Sequence, residues 1–140
     1  MKKSFIVIMV LLLCCFLSCT SNAKIDSNHS SIERTLQLNN GEKRKASGAM
    51  TNGINKMNTI VEELDIKSFD PSVIGYKLDF EIRMMMSVCG ATGEAHNQFH
   101  YYLDPLKEQI NGLQIANDIA KAPLLKSIKT HLNLYEDYFN

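Results

Sequence analysis

An all-α fold is what this sequence predicts, arranged as an up-down antiparallel four-helix bundle with a short extended segment at its N-terminal side. Three observations point there. From residue 47 onward apolar residues recur at +3 and +4 spacing, the period of an amphipathic helix face. Asp70-Pro71 and Pro123 are helix-start signals. The connections between the periodic segments are short, which favours antiparallel neighbours.

Each element follows from its residues. Thr35-Leu36-Gln37-Leu38 alternates and runs into Asn39-Asn40-Gly41, an extended segment ending in a turn. The first helix is expected over about 47–66, on the stripe Met50, Ile54, Met57, Val61 and Leu64. Asp70 as N-cap and Pro71 at the first helical position open a second, to about residue 89, on Ile74, Leu78, Ile82, Met85 and Cys89. Gly90-Ala91-Thr92-Gly93 breaks the period. A third helix follows to about residue 114, with Thr92 as the expected N-cap and the stripe His96, Phe99, Leu103, Leu106, Ile110 and Leu113. Pro105 is expected to kink or split it. Residues 115–122 either extend that helix or form a separate turn. Pro123 then begins a fourth, on Leu124, Ile128, Leu132, Tyr135 and Phe139.

Ahead of the helices, Met1-Lys2-Lys3 precedes 13 apolar residues, Phe5 to Leu17, too short for the roughly 30 Å hydrocarbon core of a bilayer and proportioned like a signal peptide. The run ends Phe16-Leu17-Ser18-Cys19, which resembles the bacterial lipobox. Residues 1–18 are therefore expected to be a lipoprotein signal peptide and Cys19 the acylated residue; a secretory peptide cleaved near Ala23 is the alternative. Residues 19–32, rich in Ser and Asn, are expected to be a flexible tether, and residues 33–140 a single helical-bundle domain. This places the protein in the cell envelope, on the periplasmic side or at the outer membrane, with the membrane contacted through the lipid.

Composition narrows the function classes. The apolar share of 45% falls to 48 of 121 residues, about 40%, beyond residue 19, an ordinary core for one small domain. Beyond the leader the chain carries 13 basic and 15 acidic residues, and its one basic cluster is Lys43-Arg44-Lys45. No nucleic-acid partner is expected. Phosphate-cradling Gly loops, G-x-S-x-G, H-E-x-x-H, C-x-x-C and EF-hand patterns do not occur, so the chain is not expected to be an enzyme.

One constellation carries chemistry. Of four cysteines, Cys14 and Cys15 lie in the leader and Cys19 at its end, leaving Cys89 as a lone thiol that is buried, bound or reactive in an oxidising compartment. His96 and His100 are four apart on one helix face, and the tight loop brings Cys89 beside them. Met85 lies one turn before Cys89 on its stripe, and Met86 three residues before it. Thiolate, imidazole and thioether suit Cu(I), and thiolate with imidazoles suits Zn. The expected metal donors are Cys89, His96, His100, Met85 and Met86, with Glu94 either orienting an imidazole or stabilising the helix start. The alternative is that these residues are core, His96 bonding a loop carbonyl and Met85 and Cys89 filling space; the chain is then a non-enzymatic interaction or inhibitor module with an envelope protein as partner. A third reading is a thiol switch at Cys89. Tyr76, Tyr101, Tyr102 and Tyr138 are expected at the surface, where they offer a self-association face.

The stretch Cys89, Gly93, His96, Phe99 and His100, with Asn40-Gly41-Glu42-Lys43-Arg44-Lys45 upstream, resembles a family of small, uncharacterised bacterial envelope proteins with the pattern C-x3-G-x2-H-x3-H, over about residues 38–115. Ala91 and Arg44 stand where that pattern has Met and Trp. The resemblance implies that Cys89, His96 and His100 belong together.

Overall fold

The computed structural model describes residues 35–90 and 92–140. The expected signal peptide, the acylated Cys19 and the tether lie outside them. Among the described residues the fold is all-α: α1 (Gly48–Glu62), α2 (Pro71–Ser87), α3 (Glu94–Gln114), α4 (Lys121–Asn133) and a single turn, α5 (Tyr135–Tyr138). α1 packs on α2 and α4, α2 on α3, and α3 on α4. None of these helices is long and apolar enough to cross a membrane.

The caps explain the boundaries. Ser47 opens α1, its hydroxyl accepting the Met50 amide at 3.3 Å. Asp70 opens α2, its Oδ1 accepting the amides of Ser72 at 2.9 Å and Val73 at 3.3 Å, with Pro71 behind it. α1 stops one turn before the expected residue 66, because Asp65 takes the Lys67 amide and the Ser68 hydroxyl and so builds a local turn instead. The N-cap of α3 is Gly93, not Thr92. Gly93 has φ +73°, a left-handed conformation that threonine adopts at a cost, and it makes no side-chain cap. α4 begins at Lys121, two residues before Pro123, since the Asn117 side chain accepts the Ile119 and Ala120 amides and winds residues 117–120 into a lead-in turn. Pro105 does not split α3, which runs unbroken from Glu94 to Gln114. The Tyr101 carbonyl loses its amide partner there, but Pro105 is exposed while Leu103 and Leu106 on either side are buried and hold the helix in place.

Most of the expected stripes form the core: Ile54, Met57, Leu78, Ile82, Phe99, Leu106, Ile110, Leu113, Ile128 and Leu132 are each at most 2% exposed, whereas Leu64, Cys89 and His96 are only partly buried and Leu125 takes the core position expected of Leu124. Two glycines allow the helices to approach. A Cβ on Gly53 of α1 would strike Cγ and Sδ of Met85 on α2, and one on Gly75 of α2 would meet the Gln114 backbone nitrogen at 3.1 Å.

The extended segment closes the end of the fold at which α3 begins. Arg44 and Ala46 donate their amides to the carbonyls of Tyr138 and Asn140, each at 2.8 Å, and Asn140 returns one to Arg44 at 3.0 Å. Above this strap sits an aromatic cluster. Tyr102 lies edge-on to Tyr135 (5.6 Å) and Phe139 (5.9 Å), and Tyr135 stacks on Phe139 at 5.1 Å. Tyr102, expected at the surface, is fully buried.

Candidate functional site

Cys89 follows the last turn of α2, held by its amide to the Met86 carbonyl at 3.3 Å. Gly93 turns the chain into α3, and the first turn of that helix presents His96. The Cys89 Sγ and His96 Nδ1 atoms are 3.6 Å apart and half-buried. His100, one turn on, meets the His96 ring edge-on at 4.5 Å, and its own Nδ1 lies 3.8 Å from Asp104 Oδ1. Cys89, His96 and His100 therefore form a continuous row at one end of the fold.

The other expected donors are elsewhere. Met85 is 2% exposed and its thioether is seated on the Gly53 backbone of α1. Met86 and Met84 are exposed on α2. Glu94 accepts the Gln98 side-chain amide at 2.9 Å and that of Asn97 at 3.5 Å; these two donors, Gln98 first, hold its carboxyl below the usual carboxylate range, with Arg44 adding a smaller effect. Among the described residues no three His, Cys, Asp or Glu side chains are placed to hold one ion.

Sequence reasoning missed Gln98. It is buried, and while its amide binds Glu94 its carbonyl accepts the Gln37 amide at 2.6 Å, which pins the extended segment to α3. Its place one residue before Phe99, inside the apolar face, was the available signal.

A second feature lies along α2. Val73, Tyr76, Phe80, Met84 and Val88, spaced +3, +4, +4 and +4, are each between 47% and 61% exposed. That spacing makes one continuous apolar row about four turns long, from the first turn of α2 to its C-cap Val88, on the side of the helix away from its buried stripe. Isolated exposed apolar residues are normal; five large ones aligned on one helix face are not. Arg83 and Asp79 flank one edge as an ion pair at 3.1 Å, while Glu81, paired with Lys56 at 3.6 Å, and Lys77 flank the other. Lys77 has no carboxylate partner among the described residues.

His131 takes a structural part. Its Nε2–H donates to the Tyr102 carbonyl at 2.8 Å, and its ring lies 5.0 Å from that of Tyr102. Burial holds its pKa below the ordinary 6.5, against a smaller upward pull from the carbonyl. The unfolded chain therefore takes up this proton first as pH falls, and stability drops through the ordinary histidine range until His131 is charged in the folded protein too. Urea unfolding at about pH 7.5 and about pH 5.5 is expected to give a lower midpoint at the lower pH, and His131→Phe to shrink that difference.

Comparison with protein-family models, with curated proteins and with solved structures finds no match to this chain.

Proposed function

We propose that this chain is a non-enzymatic interaction module of the bacterial cell envelope, tethered to the membrane by an acyl chain on Cys19, whose up-down antiparallel bundle presents the outer face of α2 to a protein partner. The observation that carries this reading is the apolar row Val73, Tyr76, Phe80, Met84 and Val88, half-exposed along a helix whose opposite stripe already fills the core. A helix gains nothing in a monomer from a second apolar face, and burying it against a partner recovers about 25 cal/mol for each Å² of apolar surface. The lipobox-like Phe16-Leu17-Ser18-Cys19 supports the tether and the location.

The test is photo-crosslinking in cells expressing the full chain, with a benzophenone side chain at Tyr76 of the row or at Lys107, an exposed position on α3. Adducts of discrete mass are expected from position 76 and none from position 107. Absence of adducts at 76, or equal labelling at both positions, overturns the reading.

One distance favours a second function, soft-ion binding at Cys89 and His96. With metal–sulfur and metal–nitrogen bonds of about 2.3 and 2.05 Å, a tetrahedral zinc site separates its sulfur and nitrogen by about 3.6 Å, and Cys89 Sγ and His96 Nδ1 stand 3.6 Å apart. A thiol–imidazole hydrogen bond has a similar length. The Asp104 carboxylate beside His100 Nδ1 is on the side from which second groups orient metal-bound imidazoles. Titration of the reduced protein with Zn(II) and Cu(I) against a chromophoric chelator separates the two: one ion per chain, lost in Cys89→Ala and weakened at least about tenfold in His100→Ala, supports the site, and no competition with the chelator removes it.

A further inference from the structure

The row on α2 also carries information about its partner, and on the strength of the interaction-module reading we infer that the occupant is a second copy of the same chain, with the two α2 helices packed antiparallel about a twofold axis at Phe80. An isologous contact must be self-complementary, each residue meeting one at the mirrored distance from the axis.

The apolar row meets that condition. It runs from residue 73 to residue 88, so Phe80 stands at its middle, Val73 faces Val88 of the other copy, and Tyr76 faces Met84. The charges meet it independently. On one edge Lys77 and Glu81 are centred on residue 79, and on the other Asp79 and Arg83 are centred on residue 81. Reversal about Phe80 therefore sets Lys77 near Glu81 of the second copy on one edge and Arg83 near its Asp79 on the other, opposite charges in both cases. A parallel pair would instead turn each edge toward the other edge of its mate, Lys77 toward Asp79 and Glu81 toward Arg83, again opposite charges; the charges thus favour self-pairing in either direction, and the antiparallel one is chosen because it opposes the two helix dipoles. Arg83 and Glu81 already have partners within their own copy and would share them; Lys77, without one, gains its first. Such edge pairs fix register more than they add affinity, which comes from the apolar middle.

The experiment uses the full chain in detergent and in cells. Sedimentation equilibrium is expected to show a monomer–dimer equilibrium, with Phe80→Asp raising the dissociation constant by about a hundredfold or more. Lys77→Glu is expected to weaken it about three- to tenfold, and adding Glu81→Lys to restore most of that loss. Register is read by disulfides in a Cys89→Ala background. Phe80→Cys, on the axis, should crosslink readily under mild oxidation. Val73→Cys should not, because the two copies of that position are 14 residues apart in register, about 21 Å at 1.5 Å per residue, against the roughly 7 Å that a disulfide spans. Equal crosslinking at both positions overturns the antiparallel arrangement. The benzophenone at position 76, with two differently tagged copies co-expressed, separates this inference from the reading beneath it. An adduct carrying both tags supports self-pairing. Adducts only with another protein, or only with lipid, overturn self-pairing; the first leaves the interaction reading standing, and the second removes both, as does the absence of any adduct.

Discussion

Replacing Tyr102 with alanine is expected to destabilise the protein by about 3–5 kcal/mol, a large part of the roughly 5–15 kcal/mol that holds a small domain folded. Its side chain is wholly buried, and its ring makes tilted or edge-on contacts with His131, Tyr135 and Phe139. Removing it leaves a ring-sized cavity where α3 meets α4 and the single turn α5. It also loosens Phe139, whose neighbours Tyr138 and Asn140 pair with Arg44 and Ala46 in the N-terminal strap, so the aromatic cluster and the chain closure should fail together. Tyr102→Phe separates ring from hydroxyl. The hydroxyl donates to the Leu132 carbonyl at 3.3 Å, but that carbonyl keeps a second donor in the Leu134 amide. No buried acceptor is stranded, and the expected loss is about 0.5–1.5 kcal/mol. Urea unfolding measures both. A loss under about 1.5 kcal/mol for the alanine variant would mean that the cluster does not hold this end closed.

Much of the helical pattern was legible in the sequence, for a simple reason: the 3.6-residue period is a local property, and Met50, Ile54, Leu78, Ile82, Phe99, Ile110, Ile128 and Leu132 all fall where it puts them. The Asp70-Pro71 start is also local, and it stands as read. What could not be read depends on geometry that several residues decide together. Whether Thr92 or Gly93 caps α3 turns on the backbone angle the loop needs, and a left-handed turn selects glycine over the better hydrogen-bonding side chain. Tyr102 looks amphipathic in sequence, yet the C-terminal turn folds back and covers it. The pairing of Arg44 and Ala46 with Tyr138 and Asn140 joins chain positions nearly a hundred residues apart and leaves no local trace. The outer row on α2 also has helical spacing, but one stripe per helix is the expectation for a monomer, and periodicity alone does not say that a second stripe stays exposed.

The candidate site divides in the same way. That Cys89 and His96 meet follows from a tight loop joining consecutive helices, and they do meet. That Met85 shares a stripe with Cys89 is equally true, but a stripe has two neighbours, and which of them claims a side chain depends on the gap it faces. Gly53 leaves that gap on α1, and the Met85 thioether fills it.

A double-mutant cycle on Gly53 and Met85 follows from this packing, and it distinguishes a core methionine from a metal ligand. Met85→Ala alone is expected to cost about 2–5 kcal/mol, because the side chain is buried and the cavity lies against rigid helix backbone. Gly53→Ala alone should gain about 1 kcal/mol of helix propensity and lose more than that to the contact of its new methyl with Met85 Cγ and Sδ. Those atoms sit too near the α2 backbone to swing aside, so overpacking of about 1–3 kcal/mol dominates and the net change is destabilising. In the Met85→Ala background the obstacle is gone: Gly53→Ala should then be stabilising, by its propensity and by filling part of the cavity. The two substitutions together are thus less harmful than Met85→Ala alone, a sign reversal that denaturant midpoints resolve and that non-additivity between touching residues permits. Were Met85 instead a donor turned toward Cys89, Gly53→Ala would be stabilising in both backgrounds, and Met85→Ala would weaken ion binding while leaving the unfolding midpoint of the metal-free protein nearly unchanged.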